Sequence, residues 1–417
     1  MRKIVRIKDL GQVVTGSTPP TKVPENFGEG YPFIKPTDLD ENIRYVISTE
    51  TEVSQVGYST LAGRLIPEDT TCVVCIGTIG KIGLSVRPSF TNQAINSVVV
   101  DRSRYDPIFV YYLLRDAIPK VKQLDSGASS GRENVSKSSF ENIEVEVPPL
   151  EIQNLIADIL SAYDDLIENN LRRIKILEEM TQAIYREWFV HFRFPRHEKV
   201  KMVDSSLGKI PEGWEVSRLS KLVKTQYGYT ESAVESPVGP HFVRGMDINK
   251  QTFIDWTSVP YCSISEEEHE EYRLHPGDVL VIRMADPGKV GIVERDIDAI
   301  FGSYLIRLRI TSLKLSPYFL FYFLLSDRYQ EYVTGVSTGT TRKSASAGVL
   351  TDIDCVIPLP SLRERFEDIV TLLRHMLNNL LRQNANLRWT RDLLLPKLIS
   401  GEIGVSELNV VERGAAV

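Results

Sequence analysis

Two stretches of small, hydroxyl-bearing and cationic residues carry the chemistry most worth placing. One runs Ser126-Gly127-Ala128-Ser129-Ser130-Gly131-Arg132-Glu133-Asn134-Val135-Ser136-Lys137; the other runs Ser337-Thr338-Gly339-Thr340-Thr341-Arg342-Lys343-Ser344. Glycine lets a backbone come close to a phosphate. Hydroxyls can donate to phosphate oxygens, an arginine fork matches guanine and an asparagine amide matches adenine. Arg132, Asn134, Ser136, Lys137, Thr340, Thr341, Arg342 and Lys343 are therefore candidate nucleic-acid contacts, and the plain alternative is a solvent loop needing Gly and Ser only for its turns. Lys35, beside Thr37 and Asp38, and Arg244, beside Asp247, form a second candidate set that could equally make strand-end ion pairs. Lys81 and Lys289 could reach phosphates from their turns.

Catalytic patterns fail on inspection. A phosphate-cradling loop needs G-x-x-x-x-G-K-[ST]. At Gly80-Lys81 the flanking positions are Cys75 and Ile82, and at Gly288-Lys289 they are Arg283 and Val290, so both read as tight turns. Cys72-Val73-Val74-Cys75 has metal-knuckle spacing, but Cys262 and Cys355 stand alone. In a strand, residues three apart face opposite sides, which favours core thiols. The six histidines show no ligand spacing, and His269 lies in an acidic run, Glu266 to Glu271, that suits a solvated face. No metal or cofactor is expected on this chain.

The elements that position these residues occur twice. At an offset of about 210 residues the halves share an order of features. Phe33-Ile34-Lys35-Pro36-Thr37-Asp38-Leu39 falls on Phe242-Val243-Arg244-Gly245-Met246-Asp247-Ile248. Leu65-Ile66-Pro67-Glu68-Asp69 falls on Leu274-His275-Pro276-Gly277-Asp278, and Gly80-Lys81-Ile82-Gly83 on Gly288-Lys289-Val290-Gly291. Ile143-Glu144-Val145-Glu146-Val147-Pro148 falls on Ile353-Asp354-Cys355-Val356-Ile357-Pro358, and the two hydroxyl-rich stretches on each other. Each half opens with β-branched runs, such as 72–76, 97–100, 279–282 and 305–310, punctuated by Gly and Pro. Short helices are expected at 107–114 and 317–325.

Each globular part ends at Pro148-Pro149 or Pro358-Leu359-Pro360, and a long helical pattern follows. In the first, Ile152, Ile156, Ile159, Tyr163, Leu166, Asn170, Ile174, Leu177, Thr181, Ile184 and Trp188 alternate at spacings of three and four. In the second, the line is Leu362, Phe366, Ile369, Leu373, Met376, Leu380, Asn384, Leu387, Arg391, Leu394 and Leu398. Such heptad-like seams predict a coiled coil, with one helix of roughly 60 Å possible in the first half. The expected fold is α+β: two related mixed domains joined by two long helices that pair as an antiparallel coiled coil. The divisions read as 1–150, a first spacer helix and linker at 151–200, a second domain at 201–360, a second spacer helix at 361–405 and a tail at 406–417.

Composition agrees with a multidomain globular protein: 417 residues, 42% hydrophobic and 25% charged. No apolar run is long enough for a membrane span and no export signal is read at the N-terminus, so a cytoplasmic protein without membrane contact is expected. A formal net charge of −6 counts mildly against nucleic-acid binding, although only the facing surface must be positive.

The chain resembles the specificity subunits of type I restriction-modification systems over essentially its whole length. The carriers are PPLEIQNLIADILSAYDDLIENN from Pro148, EEMTQAIYREWFVHFRFP from Glu178, KIPEGWEVSRLSKLV from Lys209, PLPSLRERFEDIV from Pro358 and LPKLISGEI from Leu395. The resemblance implies two target recognition domains that read different halves of a bipartite, asymmetric double-stranded DNA site, with helices as spacers. It implies partners too: a pair of modification subunits that carry S-adenosylmethionine and methylate adenine, and restriction subunits that translocate and cut. The chain itself then has no catalytic role and holds no cofactor. The residues also allow two other readings, a coiled-coil scaffold without a nucleic-acid role and the recognition part of a single-chain restriction-methylation enzyme. Missing methyltransferase motifs count against the latter.

Overall fold

The computed structural model describes residues 2–39, 43–125, 133–337 and 343–405. Two compact units emerge. One comprises Met1–Leu171 and Gln383–Val417, the other Arg172–Arg382. Both boundaries fall inside the long helices, Leu150–Tyr185 and Pro360–Ser400. Each unit therefore combines a globular part, the N-terminal half of its own helix and the C-terminal half of the other.

In the first unit an antiparallel sheet runs in the order Gly11–Thr15, Ile95–Val100, Thr71–Val74, Ile82–Ser85, with Tyr45–Val46 added in parallel at its edge. In the second unit Val223–Tyr227, Leu305–Ile310, Val279–Ile282 and Val290–Ile292 follow the same order. Each unit also has a parallel pair, Phe27–Ile34 with Phe90–Thr91 and His241–Val243 with Ala299–Phe301. Each closes by pairing an early strand with its last, Lys3–Arg6 with Glu144–Val147 and Glu215–Arg218 with Asp354–Ile357; in the second unit the hairpin Met202–Ser205 with Gly208–Pro211 comes before that strand.

Strand alternation builds two cores on either side of the central strand. Val73 packs with the helical layer while Cys72 and Val74 face a second cluster; Val279 and Val281 are likewise separated from Leu280 and Ile282. The helical layer in the first unit is Pro107–Asp116. Its start is fixed by Pro107 at the first position and by Asp106, whose carboxylate accepts from Phe109 N at 2.7 Å. Its counterpart Pro317–Leu325 is apolar on nearly every side and is buried accordingly.

One expected alignment slips. Ile66 N bonds Ser89 O as Leu274 N bonds Ala299 O, and Asp69 N bonds Ser85 O as Gly277 N bonds Val293 O. Ile66 thus matches Leu274, and Asp69 matches Gly277, one residue away from the pairing made through the two prolines. Asp69 and Gly277 share left-handed backbone, with φ of 55° and 92°. Aspartate is one of the few residues other than glycine to tolerate that region.

The long helices pair antiparallel. In the first unit Asp164 meets Arg391 and Asn170 meets Asn384, so one number rises as the other falls. Asn170 Nδ2 donates to Asn384 Oδ1 at 2.9 Å, and Asn384 Nδ2 donates to Ile167 O at 3.3 Å. A buried amide pair of this kind fixes register, because any slip strands both groups without partners.

The expected seam is corrected in the N-terminal half of each helix. Leu166 is 52% exposed while Ile167 is fully buried, and Met376 is exposed while Leu377 is fully buried. Ile152, Ile159, Leu362, Ile369, Leu373 and Leu387 are only half-buried, whereas Ile174, Leu177 and Leu380 are buried. The buried line passes through Leu160, Asp164, Ile167 in one helix and Val370, Arg374, Leu377 in the other. Two causes combine. These halves pack on their own globular parts as well as on a helix, which turns the stripe. The line also includes charged residues that an apolar template skips.

Those charges occupy equivalent places with opposite sign. In the first unit Asp164 accepts from Tyr112 OH at 2.6 Å and pairs with Arg391. In the second, Arg374 has no exposed surface and forks onto Glu294 at 2.6 and 2.7 Å, while Nη2 donates to Thr252 O at 2.9 Å. Burial alone would lower the Arg374 pKa, but the Glu294 carboxylate holds it above the ordinary value, so the guanidinium stays charged.

Candidate nucleic-acid interface

Three segments converge in each unit at the end of its central strand. In the first unit, Ile76 bridges Asn134, Gly77 N donates to Glu133 O at 2.9 Å, and Val135 N donates to Cys75 O at 2.8 Å. Lys81 Nζ reaches back to Pro36 O at 3.2 Å, tying in the turn that begins at Lys35. In the second unit Met284–Ala285 pairs with Lys343–Ser344, and Ala345 N donates to Arg283 O at 2.9 Å. Arg244, Met284, Ala285 and Asp286 line one cavity there. The two candidate sets that the sequence separates are therefore neighbours in both units.

The hydrogen bonds also set the correspondence between the loops. Glu133 stands where the second unit has Lys343, and Asn134 where it has Ser344. Arg132, Thr340, Thr341 and Arg342 lie outside the described residues. Ser136 caps the short helix Lys137–Glu141 by accepting from Ser139 N at 3.0 Å, and Ser346 does the same for Ala347–Thr351 through Val349 N. Capping is reason enough for a serine at Ser136. Lys137 is exposed and lies 3.9 Å from Glu141, one turn on. Asn134 is exposed, its backbone N–H held by Asp125.

Lys35 and Arg244 begin matching single-turn 3₁₀ helices, Pro36–Asp38 and Gly245–Asp247. In each the backbone N–H of the cation donates to the aspartate three residues on, at 2.8 Å for Asp38 and 2.7 Å for Asp247. The side chains then diverge. Lys35 Nζ bonds Glu50 and, at 3.1 Å, Thr51 Oγ1. Arg244 forks onto Asp247, Nε to Oδ2 at 3.1 Å and Nη2 to Oδ1 at 3.0 Å. Both cations make ion pairs, as strand-end residues do. The Arg244 fork still leaves the outer N–H groups of its guanidinium unused by Asp247.

The turns beside these cations carry left-handed backbone: Gly77 and Gly80 at φ 85° and 100°, Ala285 and Gly288 at 72° and 92°. Ala285 accepts a conformation that costs a non-glycine residue about 1 kcal/mol or more. A Cβ on Gly80 would lie 2.9 Å from Lys122 Cε, so Lys122 crosses this turn and joins the surface. Sequence reading missed Lys122, Tyr227, Arg283, Asn249 and Tyr304. Arg283 lies over the Tyr227 ring at 5.0 Å, and Tyr304 is half-exposed on the cavity rim. Each stands alone in its segment, so no periodicity marks it.

The cysteine pattern has a plain outcome. Cys72 and Cys75 belong to clusters on opposite sides of the sheet, and burial pushes their thiols up to about 12 and about 11. Neither is a thiolate at neutral pH. Among the described residues no helix is long and apolar enough to cross a membrane.

A chain built of two copies of one α+β unit, each carrying its own stretch of paired helix and the same loop junction, defines a class with a duplicated candidate site. A family model described as the type I restriction modification DNA specificity domain matches residues 2–179. The chain is 27% identical over 419 residues to the type I restriction enzyme MjaIX specificity subunit of Methanocaldococcus jannaschii, covering 97% of this chain and 94% of the relative. It is 25% identical over 362 residues to the EcoBI specificity subunit of Escherichia coli, covering 82% and 72%. Its fold resembles the crystal structure of the type I restriction-modification S subunit from M. genitalium, with a TM-score of 0.56, 16% identity and coverage of 95% and 96%. The likeness to type I restriction-modification specificity subunits extends over nearly the whole chain.

Proposed function

We propose that this chain reads a bipartite, asymmetric DNA site and presents it to catalytic partners, without being a catalyst itself. The observation that carries the reading is the repeated junction of strand-end turn, Gly-Lys turn and hydroxyl-rich loop, built on two units whose side chains differ there. A shared backbone plan with different side chains suits two half-sites of different sequence. In this reading double-stranded DNA meets the loops, modification subunits bring S-adenosylmethionine and methylate adenine, and restriction subunits join that assembly. Two modification subunits fit the twofold repetition of the chain.

The test is DNA affinity of the complex with modification subunits, on cognate and mismatched duplexes at several salt concentrations. The Arg342→Ala, Lys343→Ala double variant is expected to lose about 1–3 kcal/mol on cognate DNA, or to lower the salt slope by about one unit. If affinity, discrimination and salt slope all match wild type, this loop is not at the interface. A complex with no sequence preference at all would instead favour the scaffold reading.

A further inference from the structure

The geometry points to Arg244 and Asn249 as readers of a G·C base pair in the half-site assigned to the second unit. This rests on the DNA-reading function proposed above. The two residues line one cavity of about 460 Å³, floored by Phe242 and Ile282. Asp247, whose side chain is only 5% exposed, takes the Nε and Nη2 donors of Arg244 and holds the guanidinium flat, with 30% of the Arg244 side chain exposed. What remains is the end-on pair of N–H donors, one on each terminal nitrogen. That is the fork that matches guanine O6 and N7 in the major groove.

Asn249 supplies the complementary group. Its Nδ2 faces Asp286 Oδ2 at 3.5 Å, and its Oδ1 is buried with no hydrogen-bond partner among the described residues. A buried acceptor left unpaired is costly, and a ligand amino group would satisfy it. A G·C pair shows two acceptors on guanine and the N4 amino donor on cytosine. Two donors from Arg244 and one acceptor from Asn249 match that pattern.

The charge around the cavity separates a base edge from a phosphate. Glu231 and Asp286 also line it, and their carboxylates repel a phosphate while tolerating an exocyclic amino group. Gly245, next to Arg244, has no side chain to hinder approach. In the first unit the equivalent Lys35 offers no fork and is held by Glu50 and Thr51, so this readout belongs to the second unit alone.

The experiment uses the complex with modification subunits and duplexes in which each base pair of both half-sites is varied in turn. Arg244→Ala is expected to weaken cognate binding about tenfold to a hundredfold and to abolish preference at one G·C pair of the second half-site. Arg244→Lys should not restore that preference, because an ammonium cannot fork. Asn249→Ala should reduce preference at the same pair. Unchanged discrimination in the first half-site shows that each variant is folded and assembled. The inference is overturned if Arg244→Ala keeps wild-type preference at every G·C pair of the second half-site. It is also overturned if that half-site contains none. A wild-type complex that binds all sequences alike refutes the underlying DNA-reading function, a distinct result.

Discussion

Arg374→Ala is expected to destabilise the second unit by about 3–5 kcal/mol, the largest effect of any single substitution considered. Removing the guanidinium leaves Glu294 charged and buried, with Tyr318 OH at 2.9 Å as its remaining hydrogen-bond donor among the described side chains. It also strips Thr252 of two donors and opens a void beneath Phe321, whose ring lies 5.6 Å from the guanidinium carbon. Arg374→Met with Glu294→Gln should recover the greater part of the loss. That pair removes both charges, keeps an acceptor for Tyr318 and fills the space. Urea unfolding of the full chain followed by tryptophan emission measures this well, since Trp188, Trp214 and Trp256 belong to the second unit. An Arg374→Ala variant within about 1 kcal/mol of wild type would contradict a buried ion pair as the tie between helix and domain.

The second large effect concerns helix length. A heptad inserted after Leu171 alone should abolish specific binding. It leaves Asn170 in step with Asn384 but displaces the residues after the insertion by about two helical turns against the second helix. A matched heptad after Arg382 restores the partnering on both sides. Each heptad adds about 10 Å to a helix, or roughly three base pairs of DNA, so the doubly extended chain should read a site with a longer unread spacer. The check is base-resolution mapping of methylated adenines for the three chains. Recognition of the original spacing by the doubly extended chain would refute the helices as a ruler.

Much of this was legible in the sequence, for definite reasons. The repeat showed because matched turns need matched residues: Gly80-Lys81 and Gly288-Lys289 close equivalent turns, and Asp38 and Asp247 cap equivalent backbones. Proline misled the alignment near residue 66, because it can stand one position off in a turn whose hydrogen bonds fix the register. The seam misled for another reason. Asp164 and Arg374 sit where an apolar template expects a hydrophobe, so the reading stepped to Tyr163 and Leu373 and carried the error to Leu166 and Met376. The loops were found by residue type. Their junction with the Lys35 and Arg244 turns was invisible, because it depends on strand pairing between distant segments.

The proposed function requires one chain to carry two different readers. Its most direct test is the methylation map of DNA from cells expressing the chain with its modification subunits. Two different readers give one asymmetric motif: two unlike half-sites, separated by base pairs that carry no preference, with one half-site replaced when residues 1–150 are exchanged for those of a relative. A single continuous or palindromic motif, or a change in both half-sites on that exchange, would contradict it.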